Sequence, residues 1–158
     1  MDGKTYISVC NFGGIYAYEI DLPSCQLQGE PIRIVEPSLD GWDTKNEGQF
    51  VIRRGARYYC FFSSFTRSYE VGVATAERMR GPWKKDERNP IVSPRGSFVQ
   101  SGHNCIFTGP DGEWWMAYHV TVVGEDDTQL LAIDKIGFDA QGRVITGAPT
   151  DHTVTVEW

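Results

Sequence analysis

Apolar residues along this chain gather in short runs rich in aromatic and β-branched side chains, separated by polar turns, and no stretch sustains the spacing of an amphipathic helix. Three of the runs share one layout, a polar turn containing Gly followed by a strand. Asp2-Gly3-Lys4 leads into Thr5-Tyr6-Ile7-Ser8-Val9, Arg54-Gly55-Ala56 into Arg57-Tyr58-Tyr59-Cys60-Phe61-Phe62, and Asp111-Gly112-Glu113 into Trp114-Trp115-Met116-Ala117-Tyr118. The turn glycines stand 52 and then 57 residues apart. Each run reads as a hairpin turn feeding a strand.

A second strand follows in every repeat: Gly14 to Ile20, Tyr69 to Thr75, and Leu130 to Ile136. A short third is expected at Pro31 to Val35, Trp83 to Lys85, and Thr153 to Trp158. Loops are marked by Arg80-Gly81-Pro82 and Gly109-Pro110-Asp111-Gly112. Repeats of roughly 40–50 residues with about four strands each are the pattern of propeller blades. In the second and third repeats a further strand precedes the turn, Glu47 to Arg53 and His103 to Thr108. This would be the innermost strand, beside a central channel. The expectation is an all-β chain: a single partial β-propeller of about three blades, near residues 1–45, 46–100 and 101–158, the first lacking its innermost strand. An edge left open in this way invites pairing with another chain, so a homo-oligomer or a complementing chain is the expected partner.

Composition narrows the function. Aromatics make up 13% of the residues, which suits strands and also faces that stack on sugars. The net charge of −6 argues against a nucleic-acid partner. No apolar run approaches the length of a membrane span, and Met1-Asp2-Gly3-Lys4 lacks the apolar segment of a signal peptide. The four cysteines form no Cys-x-x-Cys pair, and Cys10, Cys60 and Cys105 read as small buried hydrophobes inside strands.

Several runs, in their joint order and spacing, resemble family 43 glycosidases. They are Gly13-Gly14-Ile15-Tyr16-Ala17-Tyr18-Glu19, Glu47-Gly48-Gln49-Phe50-Val51-Ile52-Arg53-Arg54, Val71-Gly72-Val73-Ala74-Thr75, Gly81-Pro82-Trp83, Gly102-His103-Asn104 and Phe107-Thr108-Gly109-Pro110-Asp111-Gly112. The resemblance implies a five-bladed propeller, of which this chain would form the later blades. It also implies inverting hydrolysis of arabinose- or xylose-containing plant polysaccharides and oligosaccharides. The general acid of the family lies in a Glu-Gly motif, here Glu47-Gly48. The general base and the Asp that tunes the acid would, on this reading, both precede Met1. Gln49 stands where the family has Pro, and Thr128-Gln129 where it often has Arg.

Glu47 opens an innermost strand, where a carboxyl can donate a proton to a leaving oxygen. Asp2, Asp40 and Asp43 are candidates for a replacement base, although loop Asp side chains ordinarily bond their own backbone. His103 occupies in the third repeat the place of Glu47 in the second. The resemblance sets its counterpart near a calcium or sodium ion, and since hard cations prefer oxygen the contact is expected through water. His119 ends a strand that reaches the same rim, whereas His152 reads as a surface residue. Trp42, Phe65 and Trp114 are candidate stacking faces, and Glu125-Asp126-Asp127 reads as a solvated loop. Besides the glycosidase, a catalytically silent carbohydrate-binding module and a fragment of a longer enzyme fit these observations.

Overall fold

The computed structural model describes residues 3–11, 14–125 and 128–150. Asp2, Asp126, Asp127, His152 and the strand expected at Thr153 to Trp158 lie outside the described residues. Those described fold entirely as strands and connecting loops, in three antiparallel sheets. The first sheet is β1 (Thr5–Asn11), β2 (Gly14–Asp21) and β3 (Gln26–Val35). The second is β4 (Asn46–Arg54), β5 (Arg57–Ser64), β6 (Glu70–Ala76) and β7 (Lys84–Lys85). The third is β8 (Phe98–Thr108), β9 (Trp114–Val122), β10 (Gln129–Phe138) and β11 (Val144–Thr146). Each sheet is a meander in chain order, as in propeller blades, and β1 corresponds in position to β5 and β9 rather than to β4 and β8. The glycines of the three equivalent turns, Gly3, Gly55 and Gly112, all have positive φ, which a tight hairpin demands and a side chain resists.

The middle sheet is buried on both faces, and this explains its sequence. Along β5 the side chains alternate between two cores. Tyr59 and Phe61 join Val71 and Val73 of β6 against Ile106, Met116, Tyr118, Val120 and Ile136 of the third sheet. Cys60 and Phe62 join Ala74 against Ile15, Ala17, Ile32, Ile34 and Val35 of the first. The apolar run Tyr58-Tyr59-Cys60-Phe61-Phe62 is what a strand with two apolar neighbours requires. The outer sheets have only one covered face. Ile7 of β1 is exposed, as are Leu131 and Ile133 of β10, which face His119 and Ala117 across the ladder.

Polar ties fasten the stack. Tyr59 donates its hydroxyl to the Gly142 carbonyl at 2.7 Å, and Arg57 donates to the Gln141 carbonyl at 2.8 Å. Glu70, itself buried, accepts from Arg67 and Ser93. One element differs from the expectation. The ladder of β3 starts at Gln26 rather than Pro31, because the register with β2 continues past a bulge to Asp21. Among the described residues the outermost strand of the third sheet is Val144–Thr146, paired with β10 at Ile136 to Phe138 and additional to the strand expected at Thr153 to Trp158, which lies outside them.

Because Phe61 is fully enclosed by two sheets, Phe61→Ala should destabilise the fold by about 3–5 kcal/mol in equilibrium urea unfolding. Leu39→Ala, at a fully exposed loop position, should shift the same transition by no more than about 0.5 kcal/mol.

Candidate active site

The two innermost strands of the four-stranded sheets, β4 and β8, meet at a bulged rim. The β4–β5 register slips between Glu47 and Phe50, where Gly48 has φ 58°. The β8–β9 register slips twice, before and after Gly102, and Gln100 and His103 adopt φ of 53° and 51°. A non-glycine residue in this left-handed region is strained by about 1–2 kcal/mol, so the surroundings must hold it there. For His103 they do: its backbone N–H donates to the fully buried Ser63 Oγ at 2.7 Å. Gly48 permits the close approach, since a Cβ there would lie 3.1 Å from His103 Cα and 3.3 Å from Ser63 Oγ. Bulges at such rims re-aim side chains, and here they turn Glu47 and His103 towards one cleft.

That cleft has a volume of about 440 Å³, with walls from Cys10 of β1, from Glu47 to Phe50 of β4, and from His103 to Cys105 of β8. Glu47 is partly exposed in it. The Tyr69 hydroxyl donates a hydrogen bond to Glu47 Oε1, and His103 Nδ1 lies 3.8 Å from the same oxygen. Burial, the hydrogen bond to Glu47 and the negative charge of that carboxylate push the Tyr69 phenol up to about 12. His119 sets its ring edge-on to Tyr69 at 4.7 Å and lies 6.5 Å from the His103 ring. Burial, and then the neighbouring His103, hold the His119 imidazole below the usual histidine range, against an opposing pull from Glu47. Its Nε2 is enclosed without a hydrogen-bond partner among the described residues.

The other expected site residues are distributed unevenly. Phe65 is exposed and lies 6.0 Å from the Tyr69 ring, so Phe65, Tyr69, His119 and His103 form a row beside Glu47. Trp42 stacks on Phe62 at 5.6 Å and packs against the core between the first two sheets, in space that the absent side chain of Gly72 leaves free. Trp114 packs edge-on against Phe138 in the other core. Asp40 is exposed, and Asp43 is 1% exposed and paired at 2.6 Å with Lys85. The Lys85 ammonium also bonds Ser38 Oγ and the Glu36 carbonyl, pinning the loop that leads to Glu47. Among the described residues, Glu47 is the one carboxylate lining the cleft.

The cysteines correct an expectation. Cys60 is buried, with its thiol pushed well up by burial, but Cys10 and Cys105 are exposed and line the cleft. Both lie on edge strands of their sheets, β1 and β8, on the sides that line the cleft. Sequence reasoning also passed over Tyr69, whose relation to Glu47 spans 22 residues and arises only when the loop between β5 and β6 folds back.

The sequence matches the model of glycosyl hydrolases family 43 over residues 1–144. No curated protein matches it. Among solved structures, a thermostable family-43 glycoside hydrolase is similar with a TM-score of 0.84 and 29% identity, over 98% of this chain and 57% of that one. An endo-1,4-β-xylanase from Bacteroides thetaiotaomicron is similar with a TM-score of 0.82 and 22% identity, over 93% and 55%. An exo-1,5-α-L-arabinanase from a bovine ruminal metagenomic library has a TM-score of 0.75 and 24% identity, over 91% and 52%. The last two likenesses show the fold. This chain spans a little over half the length of these proteins.

Two consequences can be measured. Lys85→Met leaves the Asp43 carboxylate buried and unpaired, and should destabilise the protein by about 3 kcal/mol in denaturant unfolding. For His119, a lowered pKa in the fold leaves stability unaffected above the ordinary value of 6.5, where folded and unfolded forms are both neutral. Below it the unfolded chain binds the proton more readily, so stability falls with pH. His119→Gln should flatten the stability-against-pH curve between about pH 7 and 5 in thermal melts.

Proposed function

This chain belongs to glycosyl hydrolases family 43, and from that premise we propose that it forms part of an inverting glycosidase acting on arabinose- or xylose-containing plant polysaccharides and oligosaccharides. The observation that supports this reading is Glu47 in an open cleft, with one carboxylate oxygen bonded to Tyr69. In the proposed reaction Glu47 protonates the leaving glycosidic oxygen as the bond to the anomeric carbon breaks. Water attacks from the opposite face, and a second carboxylate about 6.5–9.5 Å from the acid takes its proton. Asp43 is committed to Lys85, so this base is assigned to polypeptide outside the described residues, whether in a longer form of this protein, a second copy or a complementing chain. Exposed apolar residues on the outer sheets, Ile7 on one and Leu131 and Ile133 on the other, are suited to packing against further sheets.

Phe65, exposed beside Tyr69, and His119 are the proposed sugar contacts, whereas Trp42 is packed against Phe62 and the core between the first two sheets. A calcium or sodium ion beside His103 belongs to the same proposal. Among the described residues no group of three or more His, Cys, Asp or Glu side chains is placed to hold a metal. The buried Asn104 amide, without a hydrogen-bond partner there, lines the cleft and adds one oxygen donor. An ion in this place would therefore be held largely through water, and no step is routed through it. A second reading, a sugar-binding module without turnover, is favoured by the single carboxylate in the cleft lining.

Light scattering combined with hydrolysis of aryl α-L-arabinofuranosides and β-D-xylosides distinguishes the two. The glycosidase reading expects turnover in an assembled species, and a loss in kcat of about 10²–10⁴-fold for Glu47→Gln. Sugar binding by calorimetry with no turnover in any assembled form would establish the silent module instead.

A further inference from the structure

We propose that Tyr69 is a positioning residue for the proton donor: its hydroxyl occupies Glu47 Oε1 and so confines the transferable proton to Oε2. The inference rests on the glycosidase reading above. The hydroxyl hydrogen is donated to Oε1. In a protonated acid the carbonyl oxygen is the better acceptor, so this bond favours Oε1 as the carbonyl oxygen and Oε2 as the O–H oxygen. When Oε2 gives its proton to the leaving oxygen, the glycosidic C–O bond breaks and the carboxylate charge that appears is met by a donor already in place. His103 does not share the task, because 3.8 Å from Nδ1 to Oε1 exceeds hydrogen-bond range.

Tyr69 is itself clamped by the bulged part of β8. Its N–H donates to Gln100 Oε1 at 3.1 Å, and its carbonyl accepts from the Ser101 N–H at 3.1 Å. Its ring meets the edge of His119 at 4.7 Å and lies so close to Gly102 that a Cβ there would come within 2.5 Å of Cδ1. A ring so constrained holds its hydroxyl against Glu47 Oε1. The phenol, pushed up to about 12, also stays protonated wherever a carboxylic acid titrates, so it remains a donor throughout. The left-handed backbone at Gln100 and His103 thus has a use: it shapes the socket that aims Tyr69 at Glu47.

The test compares Tyr69→Phe with wild type on aryl glycosides whose leaving groups differ in acidity. A phenoxide with electron-withdrawing groups departs without a proton, whereas an unsubstituted phenol or a sugar needs one. The expected result is kcat about tenfold lower on the poor leaving groups, nearly unchanged on 2,4-dinitrophenyl glycosides, and KM within about twofold on both. An equal loss on every leaving group, or no loss on any, overturns the proposal. A second measurement needs no turnover: the Tyr69 ring-carbon NMR titration in wild type and in Glu47→Gln. The midpoint should fall from about 12 towards the ordinary 10 when the carboxylate is removed. Hydrolysis with an unresponsive phenol overturns the positioning role alone. A responsive phenol in a protein that hydrolyses nothing overturns the glycosidase reading, and the role in proton transfer falls with it.

Discussion

Burial of the middle sheet on both faces is the constraint from which the rest of this structure follows. β5 and β6 send alternate side chains into two separate cores, so the first and third sheets are oriented by the same two strands. A strand side chain cannot move to the other face without a one-residue slip, and a slip here would expose both cores at once. The register of the second sheet is therefore fixed, and β4, which lines the cleft, is paired directly to it.

Against this background the irregularities at the inner rim stand out. β4 and β8 are paired regularly at the ends nearer their turns and bulged at the ends that face the cleft. Gly48 and His103 both have left-handed backbones and lie against each other, and Ser63 of β5 accepts the His103 N–H from within the buried sheet. A rigid blade thus holds a strained rim. The arrangement is expected at a site, where side chains must be aimed rather than merely buried. It places a carboxylate, two imidazoles and a phenol in one row, with Phe65 at its outer end.

The surroundings of Glu47 and Asp43 show how burial divides similar groups between roles. Asp43 is withdrawn from water, and its charge is neutralised by the Lys85 ammonium, so it serves the loop. Glu47 stays partly open and meets a neutral donor, so its second oxygen is left available. Two carboxylates four residues apart are alike in sequence and unlike in chemistry because one faces the inter-sheet packing and the other the cleft.

Much of the fold was legible in the sequence. The turn glycines, the aromatic strands after them and the strands at Glu47 and His103 gave the repeat, because hairpin sterics and period-two burial act on neighbouring residues. The same repeat put Glu47 and His103 at the starts of innermost strands, and the resemblance to family 43 singled them out from there. It did not disclose that Tyr69 reaches Glu47, that Asp43 is consumed by Lys85, that Trp42 packs inward, or that Cys10 and Cys105 face the cleft. Each of these depends on which way a bulge or loop turns a side chain, and on a partner from a distant part of the chain. Local sequence sets the backbone pattern, whereas the direction of a side chain at a bulged rim is decided by whatever the neighbouring blade leaves room for.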